Sequence, residues 1–124
     1  MMTKILVVDD DIQATELINK ILTLKGFEAT VVNVSSETIK VAKATSPDLI
    51  LLDLMMPEPD GFKVCRMLRV EPEFAFTPII IITALDDTDS KIVAFGAGAT
   101  DYMIKPLIMD TLIGTIKSTL GDYD

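Results

Sequence analysis

Four short groups of polar residues follow apolar runs in this sequence, and their types suit metal and phosphate chemistry. The groups are Asp9-Asp10-Asp11 after Lys4 to Val8, Asp53 after Leu49 to Leu52, Thr83-Ala84 after Ile79 to Ile82, and Lys105-Pro106 after Thr100 to Ile104. In an open parallel sheet, ligands bind beyond the carboxyl ends of the strands. We therefore expect three carboxylates, a hydroxyl and an ammonium group to converge on one pocket.

Such a set of side chains has a definite chemistry. Carboxylates packed together raise one another's pKa, and a hard divalent cation relieves their repulsion. Oxygen ligands favour Mg2+, with Mn2+ as the alternative ion. The ammonium group of Lys105 can bind an oxyanion as a point charge, and Thr83 can donate from its hydroxyl. A phosphoryl group on Asp53 would then have a metal, a lysine and a hydroxyl to stabilise its oxygens.

Each residue taken alone has a simpler interpretation. Asp11 is better explained as a helix N-cap than as a metal ligand. Asp53 alone would be a loop acid, Thr83 a strand-end residue and Lys105 a solvated lysine. The prediction rests on the agreement of all four strand ends.

The elements that must position these residues alternate between strands and helices. We predict strands over Lys4 to Val8, Glu28 to Asn33, Asp48 to Asp53, Pro78 to Thr83 and Thr100 to Ile104. We predict helices over about 12–25, from a cap at Ser35 or Ser36 to about 45, over 62–70, from Asp86–Asp89 to about 95, and over about 107–120. Five βα repeats indicate an α/β, flavodoxin-like fold, with a parallel five-stranded sheet of order 2-1-3-4-5 and helices on both faces.

Composition excludes several classes of protein. The chain has 124 residues, which fits one domain, and a formal net charge of −8, which argues against direct nucleic-acid binding. The absence of histidine excludes catalysis by Ser-His or Cys-His pairs and histidine metal sites. Cys65 is the only cysteine, so we expect a cytoplasmic location and a thiol that packs rather than reacts, although Arg66 nearby could activate it. No apolar run reaches the ~18 residues of a membrane span.

At these residues the chain resembles the receiver domains of bacterial two-component response regulators, over essentially all of residues 1–124. The resemblance is carried by Ile5 to Asp11, Asp53 to Pro57, Asp60-Gly61, Thr83-Ala84 and Gly98 to Pro106. The receiver could be a whole protein or part of a longer regulator, since the chain stops at Asp122 to Asp124, soon after its last predicted helix.

The resemblance implies a role for each matching residue. Asp53 would accept the phosphoryl group. Asp10 would bind Mg2+ directly, Asp9 partly through water, and Met55 through its backbone carbonyl. The phosphoryl group would be bound by Lys105, Thr83 and Ala84, and the Lys105-Pro106 bond would be cis. Thr83 would move towards the phosphoryl group, and Tyr102 would swing inward behind it.

The resemblance also implies a signalling switch rather than an ordinary enzyme, with only self-phosphorylation and self-dephosphorylation at Asp53. The donor would be a histidine kinase, a phosphotransfer protein or a small phosphodonor. The face formed by the fourth helix, fifth strand and fifth helix would change shape and bind a downstream target. The protein would be a monomer or a phosphorylation-dependent dimer, with no membrane partner.

Two positions flank the expected phosphoryl site with apolar side chains. In the family, these positions often carry polar groups that help to orient the attacking water. Here they are Met55 and Leu85, two residues beyond Asp53 and Thr83. We therefore predict that the natural chain loses its phosphoryl group more slowly than a variant with Met55→Asn and Leu85→Glu.

Three other functions remain as alternatives. A Mg2+-dependent phosphatase of the haloacid dehalogenase type would use an aspartyl nucleophile, but it usually has a second acid where this chain has Met55. A non-phosphorylated receiver-like scaffold would normally lack one of the key acids or the lysine. A flavin-binding domain of the same topology would have Ser, Thr and Gly in place of Asp9-Asp10-Asp11, because three acids repel a flavin phosphate.

Overall fold

The computed structural model describes residues 2–121, so Met1 and Asp122 to Asp124 of the predicted domain lie outside the described residues. Five parallel strands form one sheet in the order β2-β1-β3-β4-β5, as predicted. The strands are β1 (Lys4–Val8), β2 (Glu28–Val32), β3 (Leu49–Leu52), β4 (Ile79–Thr83) and β5 (Asp101–Ile104). The helices are α1 (Ile12–Leu24), α2 (Thr38–Thr45), α3 (Gly61–Val70), α4 (Thr88–Gly96) and α5 (Met109–Thr119).

Burial on both faces explains why the central strands are continuously apolar. Every residue of β3 and β4 is buried. Alternate side chains of β1 belong to different layers: Leu6 and Val8 pack with α2, α3 and α4, whereas Ile5 and Val7 pack with α1 and α5. The sheet is therefore covered by helices on two sides, and only its edges and strand ends remain for function.

Local capping residues set the beginnings of three helices. The Asp11 carboxylate accepts a hydrogen bond from the Ala14 amide, so its predicted role as the N-cap of α1 is confirmed. Asp60 caps α3 through the Lys63 amide, and Asp87 caps α4 through the Ser90 amide. Each cap accepts a hydrogen bond from an amide that has no acceptor within its own helix.

The prediction of a serine cap for α2 is wrong. Residues 35–37 form a separate 3-10 turn, and neither serine side chain caps α2. The Ser35 hydroxyl instead donates to the Pro57 carbonyl at 3.0 Å, and the Thr38 hydroxyl donates to the Ser35 carbonyl at 2.8 Å. Both serines precede Glu37, which occupies the N-cap position of α2, so neither is placed to cap that helix.

The last helix also begins later than predicted. Residues 105–108 form a turn and an extended segment, so α5 begins at Met109 rather than at position 107. The Leu112 amide donates to the Ile108 carbonyl at 3.0 Å, which marks the first helical bond. Among residues 2–121, no helix combines the length and the apolar character that crossing a membrane requires.

Candidate functional site

Three carboxylates meet at the carboxyl end of the sheet, as the strand order predicts. Asp9 and Asp10 follow β1, and Asp53 follows the neighbouring strand β3. One oxygen from each of these side chains lies within 4.8 Å of the others. Asp9 and Asp53 are buried, with 3% and 6% of their surfaces exposed, whereas Asp10 is exposed. The cluster is therefore open to solvent on the side of Asp10.

The ammonium group of Lys105 enters this cluster from the end of β5. Its Nζ lies 2.7 Å from Oδ2 of Asp9 and 3.2 Å from Oδ2 of Asp53. The Lys105 amide donates to the Thr83 carbonyl at 2.8 Å, which extends the pairing of β5 with β4. The Lys105-Pro106 peptide bond is cis.

Burial and neighbouring charges together shift the pKa values of Asp9 and Lys105. Burial raises the pKa of Asp9, and the Asp53 charge adds to the rise, although the hydrogen bonds from Lys105 and the Asp11 amide oppose it. Burial lowers the pKa of Lys105, but its hydrogen bond to Asp9 and the charge of Asp53 outweigh burial and raise it overall. Lys105 thus stays charged at neutral pH, while the buried Asp9 carboxylate remains only partly compensated.

Backbone contacts hold the Asp53 side chain at the mouth of the site. The Asp53 amide donates to the Val8 carbonyl at 3.0 Å, and Oδ1 of Asp53 accepts from the Met55 amide at 3.2 Å. Both carboxylate oxygens therefore have a partner, because Lys105 binds Oδ2. The Met55 side chain is exposed beside them.

Gly61 closes the loop after Asp53 in a place that has no room for a side chain. Its amide donates to the Leu54 carbonyl at 3.0 Å. A Cβ atom at position 61 would collide with the Asp53 carbonyl oxygen and with Leu54 Cα. Glycine is thus required here for the close approach of α3 to the loop that follows Asp53.

The carboxyl end of β4 lies on the other side of Asp53 from β1, because β3 separates these two strands. Thr83 is fully buried, and its hydroxyl accepts a long hydrogen bond of 3.4 Å from the Leu85 amide. Ala84 is exposed, and Leu85 is half-buried against the core. Leu85 also connects this segment to β5, because its carbonyl accepts a 2.7 Å hydrogen bond from the Tyr102 hydroxyl. Tyr102 is half-buried, with the Phe95 ring 6.3 Å away and the Lys91 ammonium 6.0 Å from its ring centre.

The donor set fits a divalent magnesium ion. Three carboxylates and one ammonium group leave two negative charges uncompensated, which a divalent cation would balance. All side-chain ligands are oxygens, and the exposed Asp10 leaves room for the waters that Mg2+ retains. The site of Asp9, Asp10 and Asp53 thus suits Mg2+ better than a metal that prefers nitrogen or sulfur.

Cys65 lies outside this site, and its thiol is buried and unreactive. Its side chain is fully buried in α3, and its Sγ donates to the Ala97 carbonyl at 3.5 Å. Burial raises the pKa of the thiol, and the charges of Arg69 and Arg66 do not offset that rise. The activating effect considered for Arg66 is therefore overcome by burial, and Cys65 is a packing residue.

Two residues near or beneath the site were missed by the sequence analysis. Asn33 bonds to the loop that carries the acidic residues, and Arg69 joins four segments at the opposite edge of the sheet. Their partners are mainly backbone carbonyls, which every residue carries. No pattern of side-chain types marks such contacts.

Comparison with known proteins gives one consistent family. A family model described as the response regulator receiver domain matches residues 5–117. The DNA-binding response regulator MtrA of Mycobacterium tuberculosis (strain H37Rv) is 35% identical over 124 residues, which cover 100% of this chain and 53% of MtrA. RpaA of Synechocystis, a DNA-binding dual master transcriptional regulator, is 36% identical over 126 residues, which cover 99% of this chain and 51% of RpaA. The chain thus spans about half the length of these curated relatives.

Solved structures agree with the fold. A putative response regulator from Chloroflexus aurantiacus superposes with a TM-score of 0.92 at 30% identity, covering 98% of this chain and 99% of that one. The BeF3-activated N-terminal receiver domain of Klebsiella pneumoniae RstA gives a TM-score of 0.89 at 31% identity, covering 95% and 98%. The chemotaxis protein CheY4 of Vibrio cholerae gives 0.91 at 29% identity, again covering 95% and 98%.

Proposed function

This chain belongs to the response regulator receiver domain family, the phosphoacceptors of two-component signalling, and on that premise we propose that Asp53 accepts the phosphoryl group. The contact that carries this assignment is the bridge of Lys105 between Asp9 and Asp53, at 2.7 and 3.2 Å. It places a cation beside both buried carboxylates at the open end of the sheet. Of the two, Asp53 follows β3, which lies between β1 and β4, so it is the acid with Asp9 and Asp10 on one side and Thr83 on the other.

Asp9, Asp10 and Asp53 would hold Mg2+, with the Met55 backbone carbonyl as a further ligand. When bound, Mg2+ supplies positive charge that offsets the growing negative charge of phosphoryl transfer. Asp10 is the exposed member of the set, so it would be the first ligand that an arriving ion meets. Mn2+ has similar preferences and would substitute.

The reaction that we propose transfers one phosphoryl group between nucleophiles. A carboxylate oxygen of Asp53 forms a bond to phosphorus while the bond from phosphorus to the donor's leaving group breaks, and the leaving group departs with that electron pair. Lys105 then binds a phosphoryl oxygen in place of the Asp53 carboxylate oxygen. The Thr83 hydroxyl and the backbone at Ala84 provide further donors on the side of β4. The chain would thus phosphorylate and dephosphorylate itself without acting on other substrates.

The structural readout would begin at Thr83. Within residues 2–121, its hydroxyl has only the long 3.4 Å hydrogen bond from the Leu85 amide to lose when it moves to a phosphoryl oxygen. Tyr102 would respond, because its hydroxyl already bonds to the Leu85 carbonyl and its ring is half-buried. The inward swing of Tyr102 would then alter the surface formed by α4, β5 and α5, where Ile92, Phe95 and Ile108 are exposed.

That surface, the α4-β5-α5 face, is where we place the downstream target. Exposed apolar side chains on adjacent elements suit a protein partner or a phosphorylation-dependent second copy of the chain. The phosphodonor would be a histidine kinase, a phosphotransfer protein or a small acyl phosphate. The charge of −8 argues against direct nucleic-acid binding by this segment, and the DNA-binding function named for its relatives would require chain outside the region matched here. The single cysteine favours a cytoplasmic location.

Intact-mass measurement tests the proposal directly. The protein is incubated with acetyl phosphate in the presence of Mg2+, and a parallel sample contains a chelator. We expect a gain of one phosphoryl group that requires Mg2+ and is absent in Asp53→Asn. Asp48→Asn serves as the matched control, because Asp48 is an exposed acid at the opposite end of β3. A phosphoryl group that persists in Asp53→Asn would refute the assignment.

The alternative of a haloacid dehalogenase-type phosphatase is not favoured. Family membership opposes it, and the residue two places after Asp53 is Met55, which cannot protonate a leaving group. Steady release of phosphate from unrelated phosphoesters would support the phosphatase function instead. A scaffold that is never phosphorylated would show no mass gain in any sample.

A further inference from the structure

The side chain of Asn33 lies just beyond β2 and contacts the loop that carries the acidic residues. Its Nδ2 donates to the Asp9 carbonyl at 2.8 Å and to the Thr15 hydroxyl at 3.0 Å. A backbone carbonyl can only accept, and the Thr15 hydroxyl gives its own hydrogen to the Ile12 carbonyl. The orientation of the Asn33 amide is therefore dictated by its partners, since both positions require a donor.

The backbone of Asp9 is held on both sides of its Cα atom. The Asp9 amide donates to the Val32 carbonyl at 3.1 Å, and the Asp9 carbonyl accepts from Asn33. Thr15, which is fully buried in α1, completes the connection from β2 across the loop to the first turn of the helix. The carbonyl of Asp9 belongs to the peptide group that leads into Asp10, so the direction in which Asp10 leaves the loop depends on this contact.

The three acidic side chains differ in what holds them. Lys105 binds both Asp9 and Asp53, and the Asp11 and Met55 amides each hold one oxygen of these two carboxylates. Within residues 2–121, no hydrogen bond or ion pair holds the Asp10 carboxylate. Its position relative to the other two acids is therefore set by its backbone. Two side-chain contacts orient that backbone: Asn33 binds the carbonyl before Asp10, and the Asp9 carboxylate binds the Asp11 amide after it.

We propose that Asn33 is a positioning residue that holds Asp10 in place for Mg2+ binding. The inference rests on the proposed function, because it takes Asp9, Asp10 and Asp53 to be the metal ligands. Partners of this kind orient ligands without touching the ion, and their removal costs affinity for the metal. Asn33→Ala would leave all three carboxylates present but free Asp10 to sample other directions.

Calorimetric titration of the unphosphorylated protein with Mg2+ tests the inference without using phosphorylation. We expect Asn33→Ala to raise the Mg2+ dissociation constant about tenfold. Thr15→Val should raise it less, because the bond from Asn33 to the Asp9 carbonyl remains. Asn19→Ala is the matched control, since Asn19 is the other asparagine of the chain and lies midway along α1, with a single 3.4 Å contact to Thr23. It should leave the dissociation constant unchanged.

Two further measurements separate positioning from folding. All titrations are run well below the unfolding transition of each variant, which circular dichroism defines, and Asn33→Ser is measured in parallel because its hydroxyl keeps one donor. Partial recovery of affinity by Asn33→Ser supports positioning. An unchanged Mg2+ dissociation constant in folded Asn33→Ala overturns the inference, even if that variant melts at a lower temperature. A natural protein that binds Mg2+ and gains the phosphoryl group keeps the proposed function intact in that event, whereas failure of the natural protein to bind Mg2+ overturns both.

Discussion

One cationic side chain lies at each of the two edges of the sheet that the strand ends form. Both side chains bind several oxygen atoms, but the oxygens are charged at one edge and neutral at the other. At the carboxyl-end edge, Lys105 faces the charged carboxylates of Asp9 and Asp53. At the amino-end edge, Arg69 faces neutral oxygens. Its guanidinium donates to the carbonyls of Gly98, Phe74 and Thr77 at 2.9, 2.7 and 2.6 Å, and lies 3.4 Å from the Thr100 hydroxyl.

The difference separates a changeable site from a fixed one. Phosphorylation of Asp53 and binding of a cation would alter the charges around Lys105, so the contacts at that edge depend on chemical state. The partners of Arg69 have no charge to gain or lose, and burial lowers the pKa of Arg69 without a carboxylate to oppose it. We will call Arg69 and its four partners the Arg69 cluster. It joins α3 to the starts of β4 and β5 and to the end of α4. Because its partners are neutral, its contacts do not depend on phosphorylation of Asp53.

Loss of the Arg69 cluster should have the largest effect on stability. Arg69→Met leaves three backbone carbonyls without their donors, so we expect a loss of about 2–4 kcal/mol in the free energy of unfolding. Arg69→Lys should recover little, because a lysine lacks the planar fork that reaches several acceptors. Arg66→Met, an exposed arginine of the same helix, is the control. Urea unfolding measures the change.

The reactivity of the Cys65 thiol can be used to measure how firmly the Arg69 cluster holds α3 against α4. Because its Sγ bonds to Ala97, next to Gly98, the thiol becomes accessible when α3 and α4 separate. The rate of labelling by a thiol reagent should rise about tenfold or more in Arg69→Met. Unchanged labelling together with unchanged stability would show that the cluster contributes nothing, and the contrast between the two edges would fail.

At the changeable edge, the next effect is on the lifetime of the phosphoryl group. Met55 and Leu85 supply no polar group to an attacking water, so Met55→Asn combined with Leu85→Glu should accelerate loss of phosphate by about tenfold or more. Intact mass, followed over time after removal of acetyl phosphate, gives the rate. Met67→Asn combined with Val70→Glu introduces the same two polar side chains at exposed positions of α3 and serves as the control. Equal or faster loss from the natural chain would contradict the prediction.

Removal of one acid should stabilise the metal-free protein, in contrast to Arg69→Met. Asp10→Asn relieves repulsion within the carboxylate cluster, so we expect the free energy of unfolding without Mg2+ to rise by about 0.5–1 kcal/mol. The gain in melting temperature that Mg2+ gives to the natural chain should disappear at the same time. Asp11→Asn, which keeps a capping side chain outside the cluster, should do neither. A destabilised Asp10→Asn would show that repulsion among the three acids does not lower the stability of the metal-free protein.

The smallest expected effect concerns pH. Hydrogen bonds from the Ser90 amide and hydroxyl lower the pKa of Asp87, the N-cap of α4. A depressed pKa in the folded state means that the stabilisation is complete above the ordinary value of 3.8 and is lost as the pH falls through the lower folded value. The melting temperature of the natural chain should therefore exceed that of Asp87→Asn by a few degrees at pH 5, and the gap should close towards pH 2.5. Asp89→Asn, in the first turn of the same helix, should show a smaller gap.

The sequence was sufficient for the strand order and for the convergence of the acids with Lys105, because both follow from alternating apolar runs and the polar residues that end them. Prediction from the sequence failed where contacts between residues far apart in the chain, rather than local residue preferences, determine the structure. Ser35 has the right type for a cap, but α2 begins only at Thr38, and the Ser35 hydroxyl donates to the distant Pro57 carbonyl. Thr100 suggested no role, yet its hydroxyl accepts from the Ile79 amide at 3.0 Å and thereby starts β4. Asn33 and Arg69 were missed because backbone acceptors leave no mark on the sequence.

The spacing of the Arg69 partners along the chain has a consequence for the order of folding. Phe74 and Thr77 lie only 5 and 8 residues from Arg69, whereas Gly98 and Thr100 lie 29 and 31 residues away. Short loops close early, so the first two contacts can form as soon as α3 meets the segment before β4. The last two must wait for α4 and β5. We therefore expect Arg69 substitutions to affect both the folding and the unfolding rate, with Thr100→Val acting mainly on unfolding.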